Sequence, residues 1–317
     1  MSLPEQFSGR LTLPVVCAPM FLVSGPEMVI EACKSGVVGT FPALNQRDSA
    51  GFEVWLNEIQ SALAEQPAAA PFGVNLIVHK TNPRLQADLD LCIKYKVPLV
   101  ITSLGAVTEV VDAVHSYGGL VFHDVINLRH ARKAAEAGVD GLIAVCAGAG
   151  GHAGSMSPFA LLGEIRRFFD KTVLLAGSLS TGADILAAQT MGADLAYMGT
   201  RFISTQESRA ADAYKQMIVD AKAVDIVYTR EISGVFANFL QPSLDAAGVD
   251  LTKQAKTGEV DFGEELNQEA KAWKDIWSAG QGVGSIDDVP AVRELVGRLT
   301  EEYRAARENI ISNGGLR

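Results

Sequence analysis

The residues best equipped for chemistry lie in Gly141-Leu-Ile-Ala-Val-Cys-Ala-Gly-Ala-Gly-Gly-His-Ala-Gly154, an apolar run that empties into a glycine-rich turn bearing one histidine. Gly148, Gly150, Gly151 and Gly154 carry no side chain that would hold a flat ligand away from the backbone. His152 is the titratable side chain of that turn. An imidazole held by bare backbone at the mouth of a strand is placed to move a proton beside a planar cofactor. The competing structural reading is an ordinary Gly-rich turn whose histidine satisfies a loop hydrogen bond.

Such a turn needs a scaffold. Leu142 to Cys146 reads as a strand covered on both faces, because the run is short, uninterrupted and bounded by glycine. Further strands are expected at 13–20, 37–44, 71–78, 98–105, 120–126, 172–178 and 195–200. Helices are expected between them at 26–34, 50–64, 83–95, 107–117, 128–137, 158–169 and 182–191. Pro26 suits a first helical turn, Gly36 a stop and Ser157 a cap. Eight strands alternating with helices call for a parallel sheet, and this repeat number favours a closed (β/α)8 TIM barrel in the α/β class. A Rossmann fold is the rival, but Ala18-Pro19-Met20 stands after the first strand where a G-x-G-x-x-G would be needed.

Beyond Thr205 the repeat stops and the pattern turns helical and charged, at 210–223, 232–240 and 264–277. The expected organisation is a barrel formed by 1–204 plus about 276–317, with a helical substrate lobe of about 205–275 inserted after strand eight. A second Gly-rich turn, Ile276 to Gly284, precedes a closing helix over 290–309. The 317 residues and 48% hydrophobic content suffice for one barrel with an appended lobe. A net charge of −10 and a pI near 5.0 argue against nucleic acid or an anionic membrane as partner and point to a small-molecule substrate. Cys17, Cys33, Cys92 and Cys146 are scattered without a close pair, so reduced core thiols are expected. The start of the chain lacks a signal-peptide pattern and no apolar stretch reaches a membrane span, which predicts a cytoplasmic protein.

In a barrel the chemistry sits at the C-terminal ends of the strands. Strand three ends near Asn75, whose amide both donates and accepts; strand five ends at His123 and Asp124. Strands seven and eight end in Gly177-Ser178 and Gly199-Thr200, equivalent positions that together favour a phosphate site of free N–H groups and hydroxyls. The five histidines, at 79, 115, 123, 130 and 152, lack ligand spacing, so no metal is expected. Cys146 lacks an adjacent base and reads as core rather than nucleophile.

Taken in order, Ala18-Pro-Met20, Pro71-Phe-Gly-Val-Asn75, Ala149-Gly-Gly-His-Ala-Gly154, Leu175-Ala-Gly-Ser178 and Gly192-Ala-Asp-Leu-Ala-Tyr-Met-Gly-Thr-Arg-Phe202 resemble the nitronate monooxygenase family, formerly 2-nitropropane dioxygenases. The match spans about residues 14 to 204, with a weaker echo at 278–282. The resemblance implies an FMN-binding flavoprotein that oxidises alkyl nitronates with O2 to carbonyl compounds and nitrite. It puts Ala18, Pro19 and Met20 beside the isoalloxazine, Asn75 at its polar edge and Gly150 and Gly151 against it. It puts the phosphate on Gly177, Ser178, Gly199 and Thr200, with Met198 adjoining, and makes His152 the catalytic base or hydrogen-bond donor. One departure is Asp124, where several family members have a lysine; a carboxylate there opposes negative charge on the flavin. NAD(P)H-dependent reductases, of the quinone or enoyl-acyl-carrier-protein type, share the implied scaffold, and a non-catalytic flavin- or phosphate-binding module is the alternative from another class. NAD(P)H as donor and a homodimer as assembly both stay open.

Overall fold

The computed structural model describes residues 3–79, 81–105, 108–251 and 276–312. Eight parallel strands close into a barrel: β1 (Val15–Cys17), β2 (Val38–Pro42), β3 (Phe72–Ile77), β4 (Leu99–Ser103), β5 (Leu120–Val125), β6 (Gly141–Val145), β8 (Thr172–Ala176) and β9 (Leu195–Met198). β9 pairs back onto β1 with Val16 opposite Tyr197. The short β7 (Gly151–His152) lies outside the ring.

Closure explains why the strands read as mainly apolar runs. One set of side chains, Val16, Val38, Leu99, Ile101, Ile143, Leu174 and Leu195, fills the interior, where Phe7 packs edge-on against Phe122 at 6.0 Å. The alternate set, including Val74, Val100, Val121, Leu142 and Val173, is buried against the surrounding helices. Those helices are α1 (Pro26–Lys34), α2 (Ser49–Ala64), α3 (Leu85–Lys94), α4 (Thr108–His115), α5 (Leu128–Glu136), α6 (Pro158–Ile165) and α7 (Gly182–Thr190). Asp48 and Asn127 cap α2 and α5 by accepting backbone N–H groups, and Thr181 with Asp184 forms a capping box on α7. Ser157, expected as a cap, makes no side-chain capping bond; Pro158 at the first helical position sets the start of α6 instead.

After β9 come α8 (Thr200–Ile203), α9 (Asp212–Asp220), β10 (Ile226–Thr229), β11 (Ala237–Leu240), α10 (Gln241–Ala246) and α11 (Val292–Ser312). α11 returns to the barrel, where Glu302 accepts the first N–H of α7 from Gly182 at 2.7 Å. The expected helix over 232–240 is a correction: its end, Ala237 to Leu240, is a strand. A short apolar run carries no decisive period, and pairing with β10 and β7 settles its conformation. The segment after β9 therefore combines helices with an antiparallel sheet of order β10-β11-β7. The helix expected over 264–277 lies outside the described residues except for Ile276 and Trp277. All four cysteines are buried and free.

Candidate active site

The C-terminal rim of the barrel encloses a cavity of about 500 Å³, a volume suited to a cofactor-sized ligand. Its wall is assembled from the turn after β1, the ends of β3, β4 and β5, the loop after β6, the turns after β8 and β9, and the 276–282 segment.

The loop after β6 is the most constrained part. Gly154 returns its N–H to Val145 O at 3.2 Å, and Ala147 donates to Met156 O at 2.8 Å, so the loop doubles back on its own strand. Between those anchors β7 joins β11, with His152 opposite Ala237 and Gly151 opposite Asn238. Asn238 donates from Nδ2 to Ala149 O at 2.6 Å, and Tyr228 donates its hydroxyl to Ala153 O at 3.0 Å. The imidazole thus reaches the cavity from a backbone fixed by a neighbouring sheet rather than from a free turn. Burial pushes it down to about 4, so His152 is neutral at pH 7.

The glycines have a second use that their positions in sequence do not reveal. The 148–150 backbone packs directly on the 278–282 turn: Gln281 donates its N–H to Gly148 O at 2.9 Å, and a Cβ on Gly280 would sit 2.6 Å from that same oxygen and 3.0 Å from Gly150 N. Gly280 also donates to Thr200 Oγ1 at 2.9 Å, tying the turn to α8. Gly280→Ala is therefore expected to force two backbone segments apart and to cost about 1–3 kcal/mol. A thermal melt of the variant checks this.

Ala18, Pro19, Met20, Asn75, Gly150, Gly151, His152, Gly177, Ser178, Gly199 and Thr200 all line the cavity. Met198 does not: it is 1% exposed in the core between barrel and helices, and its contribution is the carbonyl that accepts Ala18 N–H at 2.9 Å. Ser178 adopts a left-handed φ of +56°, uncommon for a non-glycine residue, and turns the backbone after β8 across the rim. Asn75 donates from Nδ2 to Ile101 O at 3.3 Å and to Ser103 Oγ at 2.8 Å; its carbonyl oxygen is thereby the group left for a ligand. Ser103 donates in turn to Asp124 Oδ2 at 2.5 Å. Ser103 and Tyr197 line the cavity without having been singled out from the sequence, because a lone serine or tyrosine at a strand end carries no spacing signal. The thiol of Cys146, pushed up to about 12 by burial, is unsuited to nucleophilic chemistry.

A family model described as nitronate monooxygenase matches residues 8–302. The chain is 26% identical to the nitronate monooxygenase of Paraburkholderia phytofirmans, over 94% of each chain. It is also 26% identical to a (3aS,4S,5R,7aS)-5-hydroxy-7a-methyl-1-oxo-octahydro-1H-indene-4-carboxyl-CoA dehydrogenase of Rhodococcus jostii, covering 96% of this chain and 95% of that one. The solved structure of FabK from Thermotoga maritima superposes with a TM-score of 0.81 at 23% identity, over 96% of this chain and 97% of that one, a likeness of fold.

Proposed function

The chain belongs to the nitronate monooxygenase family of flavin-dependent oxidoreductases, and on that premise we propose that it binds FMN and oxidises alkyl nitronates with O2 to carbonyl compounds and nitrite. The observation that carries the reading is His152: a neutral imidazole on the wall of a cofactor-sized cavity, held by main-chain pairing.

The residues present suit a flavin. Asn75 offers a carbonyl to a ring N–H, and Asp124 Oδ1 is a buried oxygen with no hydrogen-bond partner among the described residues. Ala18, Pro19 and Met20 would give an apolar surface beside a flat ring, and Gly150 and Gly151 would place bare backbone against it. Gly177, Ser178, Gly199 and Thr200 supply N–H and hydroxyl groups for the phosphate. In this proposal the described residues of 1–204 and about 276–317 hold the cofactor, and those of about 205–275, with Arg209 and Tyr214 at the cavity, form the substrate lobe. The flavin, when bound, supplies the electron-accepting and oxygen-reactive chemistry.

His152 hydrogen-bonds the nitro group of the bound nitronate and holds or moves a proton there. A base that titrates near 4 is poorly matched to removing a proton from a neutral nitroalkane, so the preformed anion is the favoured substrate. An NMR titration of the His152 ring is expected to give a midpoint near 4 rather than the ordinary 6.5. The unfolded chain takes this proton near 6.5 and the folded one only near 4. This histidine therefore withdraws stability as the pH falls through that window.

A second reading, an NAD(P)H-dependent flavin reductase, is favoured by the dehydrogenase among the relatives. Anaerobic mixing separates the two. A yellow protein bleached by an alkyl nitronate but not by NADH or NADPH supports the oxidase; rapid bleaching by a reduced nicotinamide supports the reductase. A colourless protein that refuses added FMN overturns both.

A further inference from the structure

Three strand ends in sequence, β3, β4 and β5, carry a one-way chain of hydrogen bonds along the cavity wall. Asn75 Nδ2 donates to Ser103 Oγ at 2.8 Å, and Ser103 donates its hydrogen to Asp124 Oδ2 at 2.5 Å. The direction is fixed by Asn75, whose Nδ2 must also face the Ile101 carbonyl. With Oδ2 occupied as an acceptor, any proton on the Asp124 carboxyl has to reside on Oδ1. That oxygen is shut from solvent and has no hydrogen-bond partner among the described residues.

The surroundings give the carboxylate little compensation. Among the described residues the groups acting on Asp124 are its own burial and Ser103, and burial raises it to about 6 despite the serine. The titratable neighbour is Tyr197 from β9, a phenol that burial first, and then the Asp124 charge, hold well above its ordinary range; it stays neutral. The cation lining the cavity, Arg209, is engaged elsewhere, 5.2 Å over the Trp55 ring. Asp124 sits on the wall that Asn75 shares, where negative charge on a bound ring would meet it.

We propose that Asp124 compensates charge in this cavity, gaining a proton on Oδ1 by way of the cavity it lines when the bound flavin is reduced, while Ser103 and Asn75 hold the acid in place. This rests on the flavin reading above. Two electrons from an organic donor, a nitronate or a reduced nicotinamide, and one proton go to the flavin. A second proton forms an O–H bond at Oδ1, and nothing at the acid is oxidised. Asp124 is in this sense a positioning and charge-setting residue; the arrangement lets the site accept electrons without trapping two negative charges side by side.

The test is the midpoint potential of the flavin-loaded protein as a function of pH, with dithionite as reductant. Wild type is expected to take up one proton more per two electrons than Asp124→Asn above about pH 6. In the variant, asparagine keeps an acceptor for Ser103, and the ratio of affinities for reduced over oxidised flavin rises about tenfold, a potential about 30 mV higher for two electrons. Ser103→Ala keeps the acid but removes its donor, so the break in the profile moves to higher pH. Identical proton counts in wild type and Asp124→Asn, or an unmoved break in Ser103→Ala, overturn the proposal while leaving the flavin reading intact. Failure to bind any flavin overturns the functional reading and this proposal with it.

Discussion

Replacing His152 by alanine is expected to lower kcat/KM for an alkyl nitronate by about 10²–10⁴-fold, the usual contribution of a positioned proton-transfer group. FMN should remain bound, because the residues assigned to its phosphate lie on the turns after β8 and β9, remote in sequence from β7. β7 pairs with β11 through main-chain groups, and the Asn238 and Tyr228 side chains also hold the loop, so the sheet is expected to survive removal of the imidazole. Absorbance of the purified variant reports the flavin and steady-state oxygen consumption reports turnover. Full turnover with flavin bound would remove His152 from the chemistry and leave it as a satisfied loop residue.

The second large effect is placed at a residue that does not itself line the cavity. Phe239 is fully buried in a small core with Ala237 and Leu244, backed by Val227 and Ile232. Truncating it to alanine is expected to cost about 3–5 kcal/mol, the range for a buried aromatic. The loss should fall on the β10-β11-β7 sheet rather than on the barrel, since that small core is separate from the barrel interior. Hydrogen exchange should quicken at 226–240 and at Gly151 and His152, and kcat should fall at least about tenfold, on the scale of a misplaced catalytic group. Unchanged kcat in a variant whose sheet exchanges freely would sever the sheet from the chemistry.

The two cases also show what could and could not be read from the chain. The barrel was legible because the strands are largely buried on both faces and so appear as short, mainly apolar runs, interrupted towards their C-terminal ends by residues such as Asn75, His123 and Asp124; all eight predicted strands overlap an observed one. Ala18 to Met20, Asn75, His152 and the Gly177 and Gly199 turns were legible as strand ends, and all line one cavity. The sheet that seats His152 was not, because a two-residue strand has no period and its partner lies more than eighty positions onward. Gly150 and Gly280 read as ligand-facing or turn glycines, whereas their backbones also need each other's lack of a side chain to meet. Asp124 stood out by its charge, but its link through Ser103 to Asn75 depends on strands being neighbours in space.

The seating of β7 also orders events during synthesis. The barrel wall from β1 to β6 can form as soon as its own residues emerge, yet the edge that receives Gly151 and His152 is not made until Leu240 has been added. A nascent chain therefore completes the seating of His152 only after every strand of the ring exists. Insertions or swaps within 226–240 offer a handle on the His152 side of the cavity while the ring of eight strands stays untouched.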